Sequence, residues 1–372
     1  MKIQCNTTLL SEICTTVQRA VAQKSTLPSI EGIYLEARNS HLVLSGYDLE
    51  MGISTSLECR VEEEGSAVLN ARLLCDILRR LPNEKLTLEV DSHNLCRINS
   101  GATEFSLIGI PADDYPELPS VSGGSVLTIN QAVLREMIRQ TIFAVASNDS
   151  KIVHKGIKFE IESNNLRLVA VDGFRLAIRN EKIDYNGEPI SFVVPSKTLT
   201  EIMRLASEDG ESLTVNVGKK IIVFEIGSYS LVSRLLEGEF LKYQSTIPVN
   251  CTTTARINLR QFTESIERAS LIITNKLKSP VRCVFDEGSI AISSSTSLGA
   301  ASDRIAASVT GQRVEIGFNN MYLLDALKVC DGDEINIELN SPVSPIVIKP
   351  LQGDSYLFLI LPVRLRSENA EN

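Results

Sequence analysis

The chain holds only three histidines, His41, His93 and His154. None stands in a His-x-x-x-His spacing or beside a Gly-x-Ser-x-Gly turn, so neither a metal-held water nor a histidine-activated nucleophile is written into it. Neighbouring carboxylates can hold Mg²⁺, which makes Asp113-Asp114 the tempting acidic pair. Three prolines, Pro111, Pro116 and Pro119, surround that pair and fit a solvated linker better. No Gly-x-x-x-x-Gly-Lys-Ser/Thr loop is present to cradle a nucleotide phosphate. Eight cysteines (Cys5, Cys14, Cys59, Cys75, Cys96, Cys251, Cys283 and Cys330) lie scattered, without a Cys-x-x-Cys pair or zinc-type spacing. Reduced, buried thiols are therefore expected. The residues point to a protein that is not an enzyme and needs no cofactor or metal.

The elements that carry these residues must form more than one core, because 372 residues exceed what a single core serves. The composition, 43% hydrophobic and 22% charged, is that of an ordinary globular protein. Met1-Lys2-Ile3-Gln4-Cys5-Asn6 lacks the apolar run of a signal peptide, and no stretch approaches the ~20 apolar residues of a membrane span, so a cytoplasmic location is expected. The formal charge of −9 argues against a nucleic-acid partner only if charge is evenly spread.

One plan is written three times. A short strand feeds an amphipathic helix over residues 3–22, 127–146 and 257–273; in the second copy Leu134, Met137, Ile138, Thr141 and Ile142 fall on one helical face. A second helix is entered through Leu69-Asn70-Ala71-Arg72, Val194-Pro195-Ser196-Lys197 and Phe318-Asn319-Asn320-Met321, with Leu74, Leu199 and Leu324 at 125-residue spacing. Alternating strands follow at Leu86–Val90, Leu213–Val217 and Ile335–Leu339, and closing strands begin at Phe105, Tyr229 and Tyr356. Pro and Gly clusters punctuate the chain at 111–124 and near Ile247-Pro248. The expected fold class is α+β: three repeated domains, 1–121, 122–248 and 249–372, each of antiparallel sheet plus two helices, the last carrying a short polar tail, 366–372.

Six helical segments (8–22, 70–82, 130–146, 196–206, 258–278, 319–330) hold thirteen basic and seven acidic residues, which leaves the rest of the chain at −15. The basic set includes Arg72, Arg79, Arg80, Arg135, Arg139, Lys197, Arg204, Lys276, Lys278 and Lys328. Helices gathered on one surface would confine phosphate contacts to that surface. Twelve helices from two chains, at about 10 Å each, give a circle of ~120 Å and a lumen of ~28 Å, wide enough for a duplex. No helix-turn-helix, zinc-finger or aromatic RNA-binding signature suggests that base sequence is read.

Over nearly its whole length the chain resembles the bacterial DNA polymerase III beta subunits, the sliding clamps. The resemblance is carried by Ser25-Thr26-Leu27-Pro28, Asp48-Leu49-Glu50-Met51, Phe105-Ser106-Leu107, Pro111-Ala112-Asp113-Asp114-Tyr115-Pro116, Val171-Asp172-Gly173-Phe174-Arg175-Leu176-Ala177 and Leu361-Pro362-Val363-Arg364-Leu365. It implies the DNA clamp fold and a head-to-tail homodimer, a six-domain ring with helices inside, encircling double-stranded DNA without sequence preference. It also implies a tether for the DNA polymerase III catalytic subunit, the clamp loader and other replication and repair proteins, which dock through short peptides.

By the same resemblance, Ile77, Leu81, Phe105 and Leu107 would face Ile272 and Ile273 of a second copy, although Ile77 and Leu81 fit ordinary core equally well. The partner-peptide pocket would comprise Val171, Gly173, Phe174, Arg175, Leu176, Leu241, Pro345, Leu359, Ile360, Leu361, Pro362, Val363 and Arg364, with Arg175 and Arg364 bonding the peptide's carbonyls or acids. Lys24, Arg72, Arg79, Lys197 and Arg204 match channel-facing positions, and charge reasoning adds Arg80, Arg135 and Arg139. Phe174, Leu241, His154 and Ser245 depart from the residues usual in the pocket, which bears on peptide preference and not on fold. Two other readings remain: a clamp-like peptide-binding scaffold that never encircles DNA, and an enzyme built on repeated units, which would show a saturable small ligand.

Overall fold

The computed structural model describes all residues except Asn83, Asp149, Ser150, Asn275, Lys276, Lys278 and 366–372. The expectations for Lys276, Lys278 and the tail thus lie outside the described residues. Six α-helices occur among the described residues: α1 (Thr7–Val17), α2 (Ala71–Leu78), α3 (Gln131–Ile142), α4 (Ser196–Leu205), α5 (Leu259–Ser270) and α6 (Asn320–Leu327). Asparagine starts five of them. The side-chain oxygens of Asn6, Asn70, Asn130, Asn258 and Asn319 accept backbone N–H groups of the first turn at 2.9–3.4 Å, satisfying donors that the helix cannot. α4 alone is entered from Pro195.

Each helix buries one apolar face: Leu10, Cys14 and Val17 on α1, Leu134, Met137 and Ile138 on α3, Phe262, Ile266 and Ala269 on α5. Leu74 and Leu199, four residues after Asn70 and Pro195, are completely buried; in the third repeat that place belongs to Leu323, also completely buried, and not to Leu324, which is half-buried. The helices are shorter than expected. α1 tightens at Val17 into a 3-10 turn, Gln18–Ala20, and α5 stops at Ser270 before the bulky run Leu271-Ile272-Ile273-Thr274, whose β-branched members lose rotamer freedom in a helix.

That shortening revises the charge picture. Within the helices proper Arg72, Arg135, Arg139, Lys197, Arg204, Arg260 and Arg268 are matched by Glu12, Asp76, Glu136, Glu201, Glu264, Glu267 and Asp325. The basic excess sits just past the helix ends, on Arg19, Arg79, Arg80 and Lys328, where a cation meets the negative end of the helix dipole. Arg79 Nε donates to the Cys75 carbonyl at 3.2 Å and Arg80 to that of Asp76 at 3.1 Å.

The strands form four antiparallel sheets. The chain divides into two compact units, residues 1–133 with 197–235 and residues 134–196 with 236–372, so the middle repeat contributes to both. In the first unit an eight-stranded sheet joins repeats where Tyr229–Arg234 pairs with Met51–Glu58, Val232 opposite Gly52. The second unit repeats the junction in a nine-stranded sheet, where Tyr356–Ile360 pairs with Arg175–Lys182 and Leu359 stands opposite Leu176. A five-stranded sheet ends at Thr103–Ile108, and a four-stranded sheet ends at Gly299–Ala306. These two edge strands occupy the positions that pair with one another at the internal junctions. Their outer edges have no strand beside them among the described residues.

Candidate functional site

The turn between strands Asn165–Val171 and Arg175–Lys182 presents the site. Asp172 Oδ1 accepts the backbone N–H groups of Phe174 (3.0 Å) and Arg175 (3.1 Å), and Gly173 takes a left-handed φ of +85° that a side chain would strain. The turn is thereby fixed with Phe174 outward, 56% exposed. Its ring stacks on Tyr322 of α6, centroids 5.7 Å apart at 27°. The Phe174 carbonyl accepts the N–H of Leu361 at 2.9 Å, and Val363 donates to the Gly317 carbonyl at 2.8 Å, so the segment 361–365 is tied down on both sides.

Strand parity then sorts the expected pocket residues. Val171, Leu176 and Leu359 face one side and join Val153, Val169, Ile178, Val193, Phe240 and Tyr243 in a buried apolar floor. Leu241 packs on this floor half-buried, Leu361 and Val363 are each 39% exposed, Pro345 and Pro362 are half-buried, and Arg364 is exposed. Ile360 and Arg175, directly opposite each other, point to the other side of the sheet. Ile360 is completely buried core and not a pocket wall.

Arg175 departs from expectation too. Its guanidinium donates to Asp172 (2.9 Å) and Asp325 (2.5 Å), lies 4.5 Å from the Tyr322 ring centroid and 5.5 Å from that of Phe143, and its side chain is only 11% exposed. It is committed within the fold and not offered to a peptide.

Sequence reasoning missed Tyr322, Asp325 and the floor residues Phe240 and Tyr243. An aromatic three residues past a capping asparagine carries no signal that it will meet a turn 148 positions away. Beneath the floor His154 is buried edge-on to Phe240, centroids 5.4 Å apart. The Tyr243 hydroxyl donates to Glu160 at 2.6 Å, and burial, then this carboxylate, pushes its pKa up to about 12. Ser245 is exposed and bonds the Lys242 carbonyl.

The corresponding place in the first unit is closed. Over the Gly52–Val232 pair lies Leu118; a Cβ on Gly52 would stand 3.0 Å from Leu118 Cδ2 and from Val232 Cγ1.

The expected channel cations separate by their partners. Lys24 and Arg72 are exposed, Arg79 and Arg80 are exposed beside α2 carbonyls, Lys197 pairs with Asp48, and Arg204 pairs with Glu201 at 2.6 Å. Arg135 is half-buried. Arg139 is held by Glu136 (2.5 Å), Asp331 (3.2 Å) and the carbonyls of Lys328 and Val329 just past α6, which makes it a strut between helices. Of the expected dimer residues, Ile77 and Leu107 are buried within the chain, and Leu81, Phe105, Ile272 and Ile273 are half-buried. Beside them Ile108 is 87% and Leu271 81% exposed, two of the large apolar side chains that the chain leaves uncovered.

Burial raises every resolved thiol, Cys75 to about 11 and Cys5, Cys96 and Cys330 to about 12, so these sulfurs are poor nucleophiles. Among the described residues no group of three or more His, Cys, Asp or Glu side chains could hold a metal ion, and no helix is long and apolar enough to cross a membrane.

Compared with known proteins, residues 1–119, 128–242 and 244–364 match the N-terminal, central and C-terminal domains of the DNA polymerase III beta subunit. The chain is 31% identical over 356 residues to a beta sliding clamp of Staphylococcus epidermidis, covering 93% of this chain and 94% of that one. Its fold is similar to the crystal structure of the Bacillus subtilis DNA polymerase sliding clamp (TM-score 0.96, 31% identity, 98% of this chain and 100% of that one). It is also similar to a putative DNA polymerase III beta subunit of Eubacterium rectale (TM-score 0.94, 33% identity, 98% and 99%) and to a Pseudomonas aeruginosa clamp solved bound to griselimycin (TM-score 0.93, 26% identity, 98% and 100%).

Proposed function

Given that the chain belongs to the DNA polymerase III beta subunit family and is a beta sliding clamp, a non-catalytic processivity subunit, we propose how its own residues perform that task. Two copies close head to tail, Thr103–Ile108 of one chain adding to Gly299–Ala306 of the other in both joints. The observation that carries this is the pair of unmatched edges: each is the half of a junction whose other half is used twice inside the chain. Edge strands left open invite pairing, and a heterologous contact must close or polymerise. Ile108, Leu271, Phe105, Ile272 and Ile273 supply the apolar part of the joint.

Lys24, Arg72, Arg79, Arg80, Lys197 and Arg204, with Arg135, face double-stranded DNA and touch only phosphate. Arg139 is a strut and leaves that set. Domains divide after residues 121 and 248. The floor of Val171, Leu176, Leu241 and Leu359, walled by Phe174, Leu361 and Val363, receives the apolar anchors of peptides from the polymerase catalytic subunit, the clamp loader and other replication and repair proteins. Arg364 is the cation free to meet an acidic peptide group. The protein works in the cytoplasm, where the chromosome lies.

The test is retention on nicked circular DNA after treatment with loader and ATP, at salt that screens phosphate contacts. Release on a single linearising cut supports a ring. Equal retention before and after cutting would mean contact binding, and failure to load with a competent loader would favour the peptide-binding scaffold.

A further inference from the structure

We propose that Asp325 is a positioning residue for partner binding: it holds Arg175 so that the Phe174–Tyr322 stack stands as a fixed aromatic wall beside the apolar floor. This rests on the pocket assigned above.

Phe174 is a large ring on a turn, more than half exposed, and the ring it stacks on, Tyr322, comes from α6 and not from the turn. Its stacking partner Tyr322 is held in turn by Arg175, whose guanidinium carbon lies 4.5 Å from the Tyr322 ring centroid while its nitrogens bond two carboxylates. The acids play different parts. Asp172 belongs to the same turn, three residues from Arg175, and shapes the loop by accepting its backbone N–H groups. Asp325 comes from α6, one helical turn beyond Tyr322, and its bond to Arg175 at 2.5 Å links the turn to the helix that carries the second ring. With both carboxylates in place, Arg175 cannot swing toward a ligand, and Tyr322 is pinned between a cation and Phe174.

The triplicated sequence gives independent support. Asp76, Glu201 and Asp325 each stand six residues after Asn70, Pro195 and Asn319, the residues that enter the second helix of each repeat. Asp76 meets its own Arg79 at 3.5 Å. Glu201 gathers Arg19 at 2.5 Å from outside its helix, besides Arg204, and Asp325 gathers Arg175. This helix position is thus where two repeats are locked by an arginine. In the second unit that arginine also lies over Tyr322, the ring on which the exposed Phe174 stacks.

The probe is the purified DNA polymerase III catalytic subunit of the same organism, bound to the intact immobilised clamp, with Asp325→Asn, Asp325→Glu and Phe174→Ala alone and Asp325→Asn combined with Phe174→Ala. Asp325 is partly exposed, so its variants fold, which the melting temperature and dimer mass check. Expected are about tenfold weaker binding for Asp325→Asn, recovery in Asp325→Glu, and no further loss when Asp325→Asn is added to Phe174→Ala, since neighbours acting through one contact are not additive. Full affinity in Asp325→Asn alongside weakened Phe174→Ala would overturn the inference and leave the pocket standing. An additive loss in the double variant would also overturn it, by showing a general effect on the fold. Full affinity in Phe174→Ala itself would remove the pocket reading and this inference together.

Discussion

Arg19 Nε lies 2.5 Å from a carboxylate oxygen of Glu201, whose other oxygen takes Arg204 at 2.6 Å, and the Glu201 side chain is only 7% exposed. A nearly buried acid therefore orders two arginines that come from different repeats. Glu201→Ala leaves Arg19 half-desolvated without its counter-charge, and it is expected to cost about 2 kcal/mol, less than a fully buried pair because Arg19 and Arg204 still see water. Denaturant unfolding measures this; an unchanged midpoint would show the pair to be ornamental.

The Asp303 carboxyl is held below the ordinary range by its bonds to Arg268 and then Ser265, which join α5 to the edge strand Gly299–Ala306. A depressed folded pKa means that the unfolded chain binds the proton first as pH falls. The contribution is present above the ordinary aspartate value of about 4 and is lost below it. Melting temperatures of the natural chain and of Asp303→Asn should differ near neutral pH and converge on acidification through that range. A constant offset at all pH values would assign the difference to packing.

Ile108 and Leu271 are exposed in the single chain, so replacing them disturbs little within it. Ile108→Glu with Leu271→Glu should place unpaired charge in the proposed joint and shift the solution mass from two chains to one, with an unchanged circular dichroism spectrum. A stable dimer of this variant would move the joint elsewhere.

An exposed turn residue and a buried strand residue close to it give a paired test. Phe174→Ala should leave the melting temperature nearly unaltered and weaken polymerase binding by about tenfold. Ile360→Ala, one residue from the pocket floor in sequence, should instead cost about 2–5 kcal/mol of stability, because it opens a cavity in the core.

Arg79→Glu with Arg80→Glu reverses exposed charge just past α2. Loading onto circular DNA should be weaker at low salt and should depend less steeply on added salt than for the natural chain, while folding and dimer mass persist. Normal loading by a well-folded variant would remove both arginines from the DNA-facing set.

Several features were legible in the sequence because they repeat or obey a short-range rule. The triplication, the paired helices and the alternating strands follow from apolar spacing. Helix ends are less legible: apolar periodicity continues about a turn past them, so Arg19, Arg79, Arg80 and Lys328 read as helical although the helices stop before them. The move from the expected Leu324 to Leu323 has a different origin: constant spacing cannot register a one-residue deletion between repeats.

What the sequence by itself determined is the repeat, the family, and the stretches near 171–176 and 359–364, which pair in one sheet and line the proposed pocket, because these depend on residue order and periodicity. What only the tertiary structure decided is which member of each stretch looks which way. Leu359 and Ile360 are adjacent letters of similar size, yet strand pairing sends one to the floor and the other into the core. Arg175 reads as a free cation until Asp172, Asp325 and Tyr322 close around it. Partners so distant in sequence are chosen by sheet register and helix packing, and no local pattern encodes that choice.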